Sequence, residues 1–370
     1  MIKRAGILFA AVLAVCLSFG APVSAEAYSV SRGEAVVEVT SGRLLFAENE
    51  DTELPPASTT KILTALIIVE DCDLDTVIEV PKEAAGTEGS SVYLEAGEKL
   101  TVRDLLYGLM LRSGNDCAVT LALYHSGSIS AFAEHMNERA AELGVKHSHF
   151  ANPHGLPAEG HYTTAHDLAL IAAAAVRNET FSEIVGTEKY TAPDGGCGYA
   201  RVWQNKNKML YSYEGADGVK TGYTKEAGRC LVTSATRGGM RLVSAVLNSP
   251  NMYERTGELL AACFAKYSME QVFRADEEEY AVPTDVPEKI CRGKCEEDLF
   301  YPLAAGEDAQ LETQVNLPQK VYLPVHTGEI LGSVEIRLQN QLIFSQKIVS
   351  IVDMKKSYFD ILREIARSHN

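Results

Sequence analysis

Residues 58–70 carry Ile62, Leu63, Ala65, Leu66, Ile67, Ile68 and Val69, so apolar side chains run round nearly the whole circumference of the helix this segment predicts. A helix apolar on almost every face has to be wrapped by other elements in a core. The chain has 370 residues, enough for two or three domains and a core of that size. Pro55 and Pro56 stop the chain before the helix, whose first turn is Ser58-Thr59-Thr60-Lys61. Free backbone N–H groups and the helix dipole favour negative charge at Ser58. Lys61 lies one turn on, on the same face. An ammonium in so apolar a helix is disfavoured relative to the neutral amine, which makes Lys61 a usable base beside a hydroxyl nucleophile.

Two further motifs follow in order. Ser113-Gly114-Asn115 forms a polar turn after an apolar helix predicted over 102–111. The Ser113 hydroxyl there can relay a proton, and the Asn115 amide can hold the lysine or a substrate backbone. Lys220-Thr221-Gly222 precedes a strand-like run, where a lysine and a hydroxyl can bind a substrate carboxylate. Gly222 has no side chain, so a substrate can pair closely along that edge. Acyl transfer by serine needs a nucleophile, a proton acceptor beside it and donors for the developing oxyanion. Ser-x-x-Lys, Ser-x-Asn and Lys-Thr-Gly in this order point to an active-site serine acyl transferase.

Short strands are expected over 36–39 and 44–47, around a Ser41-Gly42 turn. Thr164-Ala165-His166-Asp167 reads as a capping box before an apolar helix over 168–176. A hairpin over 231–235 and 242–246 turns at Gly238-Gly239, and a helix follows over 256–267. Composition shifts at about 270–276, after which the chain is acidic and then strand-like, with strands over 334–338 and 342–345. The expected organisation is a leader over 1–25, a catalytic domain over 28–272, a β domain over 276–351 and a C-terminal helix over 354–370. In that last segment Met354, Tyr358, Ile361, Leu362 and Ile365 recur at helical spacing among Lys355, Lys356, Arg363 and Arg367, as in helices that lie in a membrane interface.

Lys3 and Arg4, the apolar run 7–19 and Val23-Ser24-Ala25 read as a secretory signal with its cleavage site, so the protein is expected to be exported. The formal net charge is −16 and argues against nucleic acid as a partner. Beyond the leader's Cys16, cysteines are scattered at 72, 117, 197, 230, 263, 291 and 295, which is no disulfide framework, although Cys291 and Cys295 could close one local bridge across a turn. Cys117 and Cys230 read as small core residues. His147, His149, His154, His161 and His166 fall close together, but neither His-Glu-x-x-His nor a matching third ligand accompanies them, so no metal or organic cofactor is expected.

The wording around the motifs, Pro56-Ala-Ser-Thr-Thr-Lys61, Ser113-Gly-Asn-Asp116, Asn152-Pro-His-Gly-Leu156 and Asp217-Gly-Val-Lys-Thr-Gly-Tyr-Thr224, resembles the low-molecular-mass penicillin-binding proteins of the D-alanyl-D-alanine carboxypeptidase type. The resemblance spans roughly 30–350 and reaches Val321-Tyr-Leu-Pro-Val-His-Thr-Gly328. It implies an α+β fold: a penicillin-recognising serine transferase domain, with a central antiparallel sheet flanked by helices, followed by a small β-sandwich. It implies Ser58 as the acylated nucleophile, Lys61 as general base, Ser113 and Asn115 as the second element, and Lys220 with Thr221 on the terminal carboxylate. The backbone N–H groups of Ser58 and Tyr223 would form the oxyanion hole, and Arg255 would be a second carboxylate-binding arginine. Peptidoglycan stem peptides are the implied substrate, β-lactams the covalent inhibitors, and the C-terminal helix a membrane anchor.

Carboxypeptidase and DD-endopeptidase action fit these motifs equally. A β-lactamase would add a carboxylate in a Glu-x-x-Leu-Asn segment, and none occurs between Ser113 and Lys220. A metal peptidase lacks its ligand pattern here. A non-catalytic wall-binding module fits poorly with a complete motif set.

Overall fold

The computed structural model describes residues 32–368. The expected leader, with Cys16, lies outside the described residues.

A five-stranded antiparallel sheet forms the centre. Its strands are β1 (Gly33–Glu38), β2 (Leu44–Glu48), β3 (Lys220–Thr224), β4 (Gly228–Arg237) and β5 (Met240–Leu247), in the order β2-β1-β5-β4-β3. The hairpin at Gly238-Gly239 is present, with Arg237 opposite Met240. Side chains alternate between two cores, as the period of two requires. On one face Ala35, Val37, Val232, Val243 and Ala245 pack toward a helical lobe. On the other, Val36, Leu231, Leu242 and Val246 pack against Leu259, Leu260 and Cys263.

The helical lobe holds α1 (Lys61–Asp71), α2 (Val102–Arg112), α3 (Asn115–Ser126), α4 (Ile129–Glu142), α5 (Ala165–Arg177) and α6 (Glu179–Gly186). Every residue of α1 from Lys61 to Ile68 is buried, as its all-round apolar character demands. Side-chain caps set the starts of α2, α4, α5 and α6. Thr101 and Asp104 form a reciprocal capping box on α2. Thr164 caps α5 by accepting from the Asp167 N–H, but the Asp167 carboxylate turns instead to the N–H groups of Lys146 and His147 and to the Ser148 hydroxyl. The helix expected over 256–267 begins earlier, as α7 (Met252–Lys266), and covers the second face of the sheet.

From Tyr267 the chain is β-rich. Strands β6 (Tyr267–Phe273) and β9 (Leu299–Ala304) pair, and β7 (Tyr280–Pro283), β8 (Ile290–Lys294), β10 (Leu311–Asn316), β11 (Ile330–Leu338) and β12 (Gln341–Ser350) form a sheet ordered β7-β8-β12-β11-β10. Arg43 fixes this region to the first domain with two hydrogen bonds to the Glu307 carboxylate, at 2.8 and 2.7 Å. The bridge considered between Cys291 and Cys295 is absent: both are free and buried. Residues 290–294 form a strand rather than a turn, and four residues of strand span about 13 Å, too far for two thiols to meet. A terminal helix, α8 (Tyr358–Ser368), exposes Tyr358, Phe359, Ile361, Leu362 and Ile365. No helix among the described residues is long and apolar enough to cross a membrane.

Candidate active site

The three motifs, spread along the chain from Ser58 to Gly222, converge on one cleft. A single 3₁₀ turn, Ala57–Thr60, carries Ser58 and leads directly into α1, which begins at Lys61. The Lys61 Nζ lies 3.0 Å from the Ser58 Oγ, 2.7 Å from the Asn115 Oδ1 and 2.5 Å from the His154 carbonyl. Asn115 opens α3, and its own Nδ2 donates to the Glu88 carbonyl at 2.6 Å. Ser113 ends α2 in the left-handed region, φ 68°, and its buried Oγ has no hydrogen-bond partner. The hydroxyl is therefore available to an incoming group.

Lys61 is completely buried, and that burial, reinforced by the charge of Lys220, holds its pKa well below the ordinary lysine value. In its neutral form the Lys61 amine donates to Asn115 and His154 and can turn its lone pair to the Ser58 hydroxyl. Lys220 starts β3, donates to the Thr221 carbonyl at 2.9 Å, and is pushed down to about 7 by burial and then by Lys206. Burial also keeps two neighbouring histidines neutral. His154 is pushed down to about 3 and His161 to about 4, and the Nε2 of His161 pairs with the Thr60 Oγ1 at 2.9 Å.

Two glycines permit this convergence. A Cβ on Gly222 would lie 3.1 Å from the Ser58 nitrogen, so β3 runs directly against the nucleophile turn. Gly155 has φ +90°, and a Cβ there would fall 1.7 Å from the Ala57 carbonyl oxygen. Asp116 then fixes the opposite rim, accepting from the Ser91 hydroxyl and from the N–H groups of Val92 and Leu94.

The cleft encloses about 380 Å³ and is lined by Ser58, Ser113, Thr221, Gly222 and Tyr223 together with Ser90, Lys206, Arg229, Met252 and Tyr253. A larger cavity of about 640 Å³ at 264–311 holds no residue of the three motifs. Arg255 stands apart from the expected group. It lies on α7 and gives its guanidinium to the buried Glu34 carboxylate at 2.7 Å, with Glu48 and Glu258 nearby, and it does not line the cleft. The cleft arginine is Arg229, paired in register with Tyr223. Neither Arg229 nor Lys206 belongs to a motif, and no sequence signal marks them. The Asn152-Pro-His-Gly segment did stand out in the sequence, but the use of the His154 carbonyl and the bare Gly155 Cα emerges only from packing.

A sequence profile described as D-alanyl-D-alanine carboxypeptidase matches residues 22–251. The chain belongs to the D-alanyl-D-alanine carboxypeptidase family. It is thus a serine peptidase with the α+β penicillin-recognising fold, and a second profile, the C-terminal domain of penicillin-binding protein 5, matches 267–356. Among relatives of this carboxypeptidase, D-alanyl-D-alanine carboxypeptidase DacF of Bacillus subtilis is 31% identical over 89% of this chain and 87% of its own. The D-alanyl-D-alanine carboxypeptidase of Streptomyces sp. strain K15 is 38% identical over 59% of this chain and 80% of its own. The solved penicillin binding protein 5 from Haemophilus influenzae superimposes with a TM-score of 0.73 at 27% identity, over 88% of this chain and 97% of that one.

Proposed function

We propose that this carboxypeptidase removes the terminal D-Ala of peptidoglycan stem peptides through an acyl-enzyme on Ser58. The contact of the fully buried Lys61 Nζ with the Ser58 Oγ, at 3.0 Å on the floor of the cleft, carries the reading. The Ser58 Oγ attacks the penultimate D-Ala carbonyl while Lys61 accepts its proton. Backbone N–H groups of Ser58 and Tyr223 receive the oxyanion. Ser113, with its unpartnered hydroxyl, passes a proton from Lys61 to the departing D-Ala nitrogen, and water then releases the shortened peptide. Lys220 and Thr221 attract the terminal carboxylate. Arg229 and Lys206, which line the same cleft, take the place first expected of Arg255.

Among the described residues no carboxylate lines the cleft, so the added base with which a β-lactamase speeds hydrolysis of its acyl-enzyme is lacking there. Benzylpenicillin should therefore leave a lasting adduct on the wild type, seen by intact mass and mapped to the Ser58 peptide, and none on Ser58→Ala. Rapid drug hydrolysis without an adduct would instead support a β-lactamase.

The enzyme acts outside the cytoplasm, with α8 resting its exposed aromatic and aliphatic residues in the membrane surface. Deleting 354–370 should free the protein from membranes with soluble-peptide turnover intact. A truncated protein that still pellets with membranes would remove α8 from this role.

A further inference from the structure

Asp71, His125 and His135 come from three different helices and meet at one point. Asp71 is the last residue of α1, His125 lies in the last turn of α3, and His135 lies in α4. The Nε2 of His125 is 2.9 Å, and that of His135 3.1 Å, from the same Asp71 oxygen, Oδ2. All three candidate donor atoms lie within 4.8 Å of one another, and among the described residues no other group of histidine, cysteine and carboxylate donors converges in this way. The five histidines that cluster in sequence over 147–166 do not.

We propose that Asp71, His125 and His135 form a binding site for a divalent transition-metal ion of the zinc class, which joins the ends of α1 and α3 to α4. Zinc–nitrogen and zinc–oxygen bonds of about 2.0–2.1 Å in a tetrahedron set neighbouring ligand atoms about 3.3 Å apart. The two separations from Asp71 are a few tenths of an ångström shorter and all three donor atoms lie within 4.8 Å, so side-chain movements of at most about 1.5 Å admit the ion. Two imidazoles and one carboxylate suit zinc and its neighbours in the transition series rather than magnesium or calcium, which take oxygen ligands. Half-exposed Asp71 and His135 leave the fourth position to water.

The outer nitrogen of His125 is also engaged, as outer nitrogens are around metal-binding histidines in general. The Nδ1 of His125 is 2.7 Å from the Ser126 Oγ, and the Nδ1 of His135 is 3.6 Å from a Glu138 carboxylate oxygen. Each Nε2 donates its N–H to the Asp71 carboxylate, and an arriving ion takes the place of those two protons. The ring of His125 is further held edge-on against Phe132, with centroids 5.4 Å apart. Placement gives the site its consequence. The helix that ends at Asp71 begins at Lys61, and the helix that carries His125 begins at Asn115. An ion would thus tie the distal ends of the two helices whose first residues meet in the cleft, about 15 Å away along α1.

The test is calorimetric titration of the tag-free, chelator-stripped full chain with zinc chloride, with cobalt(II) absorption reading the ligand geometry. The expected result is one ion per chain with a four-coordinate cobalt spectrum. His125→Ala and His135→Ala should each weaken binding at least tenfold. Zinc at a hundred times its Kd should favour the folded state about a hundredfold, raising the Tm of the wild type but not of His135→Ala. Absence of stoichiometric binding, or binding unchanged in both histidine variants, would overturn the proposal and leave the three residues as an ion-paired cluster.

Discussion

Replacing Gly155 with alanine tests whether the nucleophile turn is positioned by a close backbone approach. The new Cβ would stand 1.7 Å from the Ala57 carbonyl oxygen, 2.4 Å from its carbon and 2.9 Å from the Thr60 Oγ1. Two of these atoms are backbone, so no side-chain rotation relieves the clash. Reaching the 3.0 Å that real Cβ contacts respect takes more than 1 Å of movement. The displaced pieces are the residue before Ser58 and the loop whose His154 carbonyl holds Lys61. A misplacement of about 1 Å costs on the order of 100-fold in rate. The positive φ adds about 1–2 kcal/mol of strain for any residue with a Cβ. Gly160→Ala separates the two effects: its φ is +73°, but its nearest contact would be 3.5 Å away, on the His149 ring. Both variants should therefore lose a few degrees of Tm, and Gly155→Ala alone should acylate with a fluorescent penicillin about 100-fold more slowly. Equal acylation rates in the two variants would refute the argument that the Gly155 backbone sets the position of Ser58.

Lys220, pushed down to about 7 by burial, should lose its charge as pH climbs through that value in the free enzyme. The ratio of kcat/KM for a free-acid peptide to that for its amidated twin cancels the titration of Lys61. It should fall between pH 6 and 9, and a constant ratio would exclude Lys220 as the carboxylate anchor. The same shift carries a stability sign: the unfolded lysine binds its proton up to about 10.5, so this group's contribution becomes more favourable as pH rises from about 7 toward 10.5. Asp116→Ala leaves the Val92 and Leu94 N–H groups and the Ser91 hydroxyl without their charged acceptor. At about 1.5–3 kcal/mol for a hydrogen bond to a charged group, the loss in urea unfolding should be about 3 kcal/mol or more, and a loss below 1 kcal/mol would show that the rim is held by other contacts.

The sequence by itself determined the features that depend on neighbours a few residues apart. The all-round apolar run after Ser58 required a buried helix, the three-residue spacing put Ser58 and Lys61 on one face at its start, and Gly238-Gly239 closed a hairpin. Ser113, Asn115 and Lys220 were legible as motif members, and the resemblance carried the fold class. Tertiary structure decided what depends on groups distant along the chain. It gave Lys61 the Asn115 amide and the His154 carbonyl, buried Lys220, and brought Arg229 to the cleft while Glu34 engaged Arg255. It also laid Cys291 into a strand instead of a bridged turn, and gathered His125 and His135 around Asp71, while the histidines that cluster in sequence stayed apart. The physical reason is common to these cases. Helix and turn preferences are local free energies that a sequence carries with it, whereas burial, charge partners and pKa values belong to an environment created only when distant segments pack.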